Sequence, residues 1–154
     1  MRVWRIASAA YASFDGEGAR RYGSRWTPRG HPAIFTSATL SLAVLERFVN
    51  TDPDLEPGTL VSIAVDIDAA IHVEVVDPGE LPADWRVYPA PASLAARGER
   101  WLRGLTSAVL SVPSAVVPVE RNFVINPAHA DFATLTIHPP EPFSFDPRMW
   151  KTRG

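Results

Sequence analysis

Several side chains in this sequence have types and spacings that could do chemistry. RYGSRWTPRG (21–30) gathers Arg21, Arg25 and Arg29 around an indole, Trp26, and two glycines, directly ahead of the apolar, strand-like AIFTS (33–37). A guanidinium is planar and can fork two N–H donors onto paired oxygens, so an arginine-rich turn on the lip of a buried strand suits a phosphate or carboxylate. The plain alternative is a basic surface loop. Three more polar residues stand out: Glu46 in LAVLERF, Ser114 at a strand break in VPSAV, and Asn126, which with Asn122 brackets NFVINP. Each has an ordinary reading too. On a helical wheel Leu40, Val44, Leu45, Phe48 and Val49 cover most of the circumference, and Glu46, Arg47 and Asn50 share the remaining polar arc, which makes Glu46 a solvated helix residue. Ser114 beside Pro113 suits a turn, and Asn126–Pro127 suits a turn start.

Other chemistries are excluded by what the chain lacks. It has no cysteine, which removes disulfides, thiolate metal sites and a cysteine nucleophile, and fits a reducing cytosol. GEGARR (16–21) lacks the third glycine of a dinucleotide-binding turn, and Lys151 is the single lysine, so no phosphate-loop lysine exists. His31, His72, His129 and His138 lie far apart, with no HExxH spacing, so no metal is expected. Ser114 has no flanking glycines and is not an esterase nucleophile elbow. A net charge of −2 argues against a nucleic-acid surface. No apolar run reaches the roughly 20 residues of a membrane span, and the amino terminus, interrupted by Arg5, is a poor secretory signal. A cytoplasmic protein without membrane contact is expected.

The elements that must position these residues follow from period and punctuation. The 154 residues suit one domain, and fifteen prolines fall between periodic segments. Strands are expected at 3–6, 33–37, 59–68, 71–77 and 133–139, with 107–120 forming two strand pieces broken at Pro113. In 59–68 the residues Val61, Ile63, Val65 and Ile67 alternate against Ser62, Ala64 and Asp66; in 71–77 Ile71, Val73 and Val75 form the apolar side. Helices are expected at 37–52, capped by Ser37 or Thr39, and at 91–105, where Leu94, Trp101, Leu102 and Leu105 share one side. Two helices among six or seven strands, without βαβ alternation, predict an α+β fold with a mixed or antiparallel sheet. The stretch 77–92 reads as a long surface loop and 139–154 as an extended tail.

Taken in order, an Arg-Trp turn, a strand ending in Thr-Ser, a helix carrying LAVLE and the late VPSAVVPVERNFVINPAH resemble the RES domain family, toxins of bacterial toxin–antitoxin pairs. The resemblance runs from VWRI to NPAHADF and treats 1–154 as a single domain. It implies an ADP-ribosyltransferase-like fold with NAD+ as substrate, and no cofactor or metal beyond it. Arg25, Glu46 and Ser114 match the three name-giving residues, expected to be catalytic. Arg5, Trp26, Phe35, Ser37 and Asn126 match further positions expected to bind NAD+. Two positions depart from the pattern. Thr27 stands where the family commonly has Asn, and Phe35 where it has Tyr, which keeps a stacking ring and loses a hydroxyl.

The resemblance also implies a function. Breaking the nicotinamide–ribose bond builds positive charge at the anomeric carbon, which a carboxylate such as Glu46 would stabilise. Arg25 would fork onto the pyrophosphate or a ribose oxygen, and Ser37 and Ser114 would orient a ribose or amide. The expected activity is NAD+ consumption with water or phosphate as acceptor; the alternatives are ADP-ribosylation of a protein and a non-enzymatic interaction module. The expected partner is a neutralising, Xre-like cognate antitoxin, with a homodimer allowed for inside that complex. Arg20, Arg21, Arg25 and Arg29 would form a basic rim at the cleft entrance.

Overall fold

The computed structural model describes residues 1–52 and 58–150. Three of its strands form the middle of the molecule. Strand β1 (Arg2–Ser8) pairs antiparallel with β3 (Leu60–Asp66) along its whole length, from Arg2 opposite Asp66 to Ser8 opposite Leu60. β2 (Ile34–Ser37) pairs antiparallel with β6 (Arg121–Ile125) over all four of its residues. Between β1 and β2 the ladder is a single register pair, Trp4 with Ser37. The sheet therefore has a seam, and the two halves are free to part on either side of that pair.

The remaining strands extend each half. β5 (Val109–Pro113) pairs antiparallel with β6, and β4 (Val73–Val75) adds the one parallel pair at the outer edge. β7 (Thr136–Ile137) and β8 (Glu141–Phe143) both pair with β3, giving the order β4-β5-β6-β2-β1-β3-β7 with β8 alongside β3. This is the α+β arrangement with a mixed sheet that the pattern of elements predicts.

Several expectations shift in detail. The piece after Pro113 is a turn, because the Ser114 hydroxyl accepts the Val116 and Val117 N–H groups (3.1 and 3.0 Å) and Pro118 has no N–H to give a ladder. Strand pairing resumes only at Arg121, so β6 lies where the sequence suggests two bracketing asparagines. β4 is shorter than the expected 71–77: Ile71 and Val73 pack against the core as the alternation predicts, but Val75 is exposed and Val76, just past the strand, is buried. Both faces of β3 are covered, and Ser62 and Ala64 are buried with the apolar set. A short helix, α1 (Glu17–Tyr22), stands between Gly16 and Gly23, both at positive φ. Of the expected loop 77–92, residues 77–91 carry one 3-10 turn, Pro78–Glu80, and are otherwise irregular, while Ala92 already begins a helix. Residues 139–150 do not trail from the fold: they include β8, and Phe145 and Trp150 close a ring cluster with Phe48.

One sheet face holds Val3, Ile34, Ile63, Val65 and Ile125, with the stacked rings of Phe14 and Phe132 against it. The other is covered by two helices. α3 (Ala92–Gly104) buries Leu94, Trp101 and Leu102 on Leu110, Val112 and Val124, as its period predicts, and ends at Leu105 in the left-handed region with that side chain half exposed. α2 (Leu40–Val49) starts at Thr39, whose hydroxyl accepts the Leu42 N–H at 3.1 Å. Its buried residues are Leu42 and Ala43, whereas Leu45 and Val49 face solvent at 37% and 56% exposure. The small Ala43 lets the helix settle on Ile6 and Leu60. That choice of face sets where Glu46 points.

Candidate active site

A cleft of about 1180 Å³ opens at the seam of the sheet. Its floor comes from Trp4, Arg5 and Ile6 of β1 and Phe35 and Ser37 of β2; one wall is α2, with Glu46 and Arg47. The opposite wall is the turn 22–26 together with Arg86, Tyr88 and Pro89 of the long loop, closed by Ala115 and Asn122.

Glu46 turns toward the sheet and is not the solvated residue of the wheel. Its Oε1 accepts the Ser114 hydroxyl at 2.7 Å and the Asn122 Nδ2–H at 2.7 Å. Asn122 is fixed in turn, because its Oδ1 accepts the Ser37 hydroxyl at 2.7 Å. Three elements thus hold one carboxylate oxygen: β2 through Ser37, β6 through Asn122, and the turn after β5 through Ser114. Oε2 has no hydrogen-bond partner among the described residues, so it is the oxygen left for a ligand. Donors locked by a rigid sheet keep a negative charge aimed without reorganisation.

Ser114 sits behind Glu46. It is 0% exposed, donates to Glu46 and accepts two backbone N–H groups, so its hydroxyl is fully used and does not reach the cleft. Ser37 is likewise buried and spent on Asn122. Ser114 thus bonds to Glu46 directly, and Ser37 is linked to it through Asn122. Asn126 lies away from the cleft. It stands one residue past β6, four residues on from Asn122 and about 13 Å away at the usual strand rise, and it ties the Leu102 carbonyl (3.1 Å) to the turn at Ala128 (3.0 Å). Asn122, unremarked in the sequence except as a bracket, is the asparagine that meets Glu46; its register opposite Ser37 is the signal, visible only once β6 is a strand.

Arg25 uses Nη1 on two carbonyls, Trp85 at 2.8 Å and Val87 at 2.9 Å, and so pins the long loop to the cleft wall. The ring of Trp26 sits 6.4 Å from that of Trp85, sealing the same junction. Burial pushes the Arg25 guanidinium below its ordinary value; the charge of Glu46 opposes that shift and Arg86 adds to it. Arg25 still carries a full charge at neutral pH. Trp26 is nearly buried, and its carbonyl lies against Gly98 of α3 so closely that a Cβ there would stand 1.6 Å away. Phe35 lines the cleft with its ring partly open. Arg5 lines it too, with Nη1 3.5 Å from the Phe35 carbonyl.

The expected basic rim does not form as a group. Arg20 and Arg21 lie on α1 and pair with Glu17, whose carboxyl is held down to about 2 by Arg20 first, and neither lines the cleft. Arg29 does not line it either. The cations that do are Arg5, Arg25, Arg47 and Arg86, drawn from four separate parts of the chain. Among the described residues no cluster of three or more His, Asp or Glu is arranged to hold a metal ion, and no helix is long and apolar enough to cross a membrane.

A mixed sheet parted at a seam, with a helix laid over it, is an α+β architecture. The fold is similar to that of a chain in the crystal structure of the M. tuberculosis MbcT–MbcA toxin–antitoxin complex, with a TM-score of 0.75 at 19% identity, covering 97% of this chain and 86% of that one. The protein belongs to the RES domain family, whose model matches residues 2–146. Among its relatives, Toxin Res of Yersinia enterocolitica is 36% identical over 152 residues, spanning 97% of this chain and 99% of that protein. The Prs ADP-ribosylating toxin of a Sphingobium species is also 36% identical, spanning 95% of this chain and 94% of the relative. Toxin Res of Pseudomonas putida is 30% identical over 155 residues, spanning 97% of this chain and all of that protein.

Proposed function

We propose that this protein is the toxin of a toxin–antitoxin pair and consumes NAD+ by breaking the bond between nicotinamide and ribose. The observation that carries this reading is the Glu46 carboxylate, held at Oε1 by Ser114 and Asn122, with no hydrogen-bond partner for Oε2 among the described residues, on the wall of an arginine-lined cleft. As the bond breaks, positive charge moves from the nicotinamide ring to the anomeric carbon. A fixed carboxylate beside that carbon, or bonded to the neighbouring ribose hydroxyl, stabilises the charge as it develops. Phe35 offers a ring face for nicotinamide. Arg25 retains Nε and Nη2 for a ligand oxygen while its Nη1 holds the wall. Ser114, Ser37 and Asn122 position the carboxylate. Asn126 serves the fold.

NAD+ is the substrate and no resident cofactor is assigned. The acceptor is water or phosphate. An enzyme that destroys a central cofactor has to be restrained in its own cell, which calls for a cognate antitoxin; an Xre-like protein is the proposed partner, in the cytoplasm, with a homodimer of the toxin inside the complex. The Sphingobium relative, named for ADP-ribosylation, favours a second reading in which the acceptor is a protein.

The deciding experiment is NAD+ incubated with the pure protein. Free nicotinamide and ADP-ribose, or its 1-phosphate, are expected without any added protein acceptor. Transfer of label only when a protein acceptor is supplied would move the assignment to the second reading, and no NAD+ turnover under either condition would refute both.

A further inference from the structure

We propose that Arg5 on β1 and Arg47 on α2 form an anion subsite inside the cleft that takes a phosphate group. The assignment of its carrier rests on the NAD+ reading; the subsite itself rests on the arrangement of charge.

Several arginines outside the cleft, Arg2, Arg20, Arg97, Arg103 and Arg148, each meet a carboxylate. Arg5 and Arg47 line the cleft, and neither forms an ion pair with a described carboxylate. Arg47 Nε is shut off from solvent and has no hydrogen-bond partner, alone in this among the described side-chain nitrogens and oxygens. Arg5 has one contact, the Phe35 carbonyl at 3.5 Å, which is at the limit of a hydrogen bond. Glu46 cannot serve either cation through Oε1, which Ser114 and Asn122 already hold. An unpaired buried charge is costly, and two of like sign near each other cost more. The repulsion is felt at Arg5: burial first, then the charge of Arg47, lowers its affinity for its proton, with only Asp15 opposing.

Arg25 is a poorer candidate for the same task. Two carbonyls occupy its Nη1, so half of its fork is committed to the loop. A phosphate group between Arg5 and Arg47, met by the terminal N–H groups of both side chains, would turn one repulsion into two charge-assisted attractions. The group is either the pyrophosphate of the dinucleotide or free phosphate beside it.

The test uses the purified full-length protein, wild type, Arg47→Gln and Arg47→Lys, with melting temperature followed against inorganic pyrophosphate, orthophosphate and NAD+. Without ligand, Arg47→Gln should melt no lower than wild type, because it removes an uncompensated charge; an arginine serving only the fold would lower it. Pyrophosphate should raise the wild-type melting temperature saturably, and Arg47→Gln should weaken its apparent affinity about 10- to 100-fold. Arg47→Lys should restore part of the loss. If NAD+ displaces orthophosphate, the dinucleotide's own pyrophosphate fills the subsite. If both bind together and nicotinamide release rises with phosphate, free phosphate fills it. A wild type with no saturable response to pyrophosphate, or an Arg47→Gln with wild-type affinity, overturns the inference. If the pyrophosphate response is lost in Arg47→Gln and the wild type releases no nicotinamide, the subsite stands and the NAD+ reading falls.

Discussion

Replacing Glu46 by glutamine separates the carboxylate's charge from its shape. Both protein contacts fall on Oε1, from Ser114 and Asn122 at 2.7 Å each. Glutamine is nearly isosteric and can place its carbonyl oxygen there, accepting the same two donors, which leaves its NH₂ where Oε2 faced the cleft. The two hydrogen bonds change from charge-assisted to neutral, a loss of about 1 kcal/mol each, partly offset because a buried charge no longer has to be desolvated. The melting temperature should therefore fall by only a few degrees, roughly 2–8 °C for 1–2 kcal/mol in a domain of this size. Catalysis should fall much further. Removing one preorganised electrostatic contact to a developing charge costs about 3–4 kcal/mol, or 10²–10³ in kcat. The dinucleotide bound in its ground state is held mainly by groups other than Glu46, so Kd for NAD+ should stay within about threefold. Nicotinamide release and NAD+ binding are measured on one preparation, with its melting curve. Turnover within about threefold of wild type in a folded Glu46→Gln would refute the assigned role.

Further outcomes test the frame around that carboxylate. Ser114→Ala removes a donor from Glu46 and orphans two backbone N–H groups, so it should cost about 2–4 kcal/mol of stability and about tenfold or more in kcat; a change confined to KM would contradict its place behind Glu46. Asn126→Ala should lower the melting temperature through the lost tie to Leu102 while kcat/KM in the folded fraction stays near wild type; a selective loss of NAD+ affinity would place it in the site after all. Gly98→Ala drives a Cβ into the Trp26 carbonyl and should destabilise by about 1–3 kcal/mol or more; an unchanged melting curve would contradict the close approach of α3. On the far side of β1, Arg2 first and then His138 hold the Asp66 carboxyl well below its ordinary value. A carboxyl with a depressed folded-state pKa contributes stability that is present above its unfolded value, near 4, and is lost as pH falls below it. Asp66→Asn should therefore flatten the acid side of a melting temperature–pH profile, and an unaltered slope would remove this cluster from the account.

How much of this was written in the sequence differs from element to element. The period of 91–105 put Leu94, Trp101, Leu102 and Leu105 on one side of a helix; the first three are buried in α3, and Leu105, which ends the helix, is half exposed. The alternation of 59–68 marked β3, and the ordered Arg-Trp, LAVLE and VPSAV segments pointed to the RES domain family that the family model matches over residues 2–146. α2 was different. Its apolar side chains run round the helix, so the wheel could not say which side the sheet would take; packing chose the small Ala43 with Leu42, exposed Leu45 and Val49, and turned Glu46 inward. Strand register decided between Asn122 and Asn126, which have the same residue type and the same parity, yet only Asn122 stands opposite Ser37. The arginines that line the cleft come from β1, the turn before β2, α2 and the long loop, and no local spacing relates them. Local pattern determines which residues can form a helix, a strand or a turn. Which side chains meet, and which cations are left without a partner, is settled by the seam between β1 and β2, a product of long-range pairing.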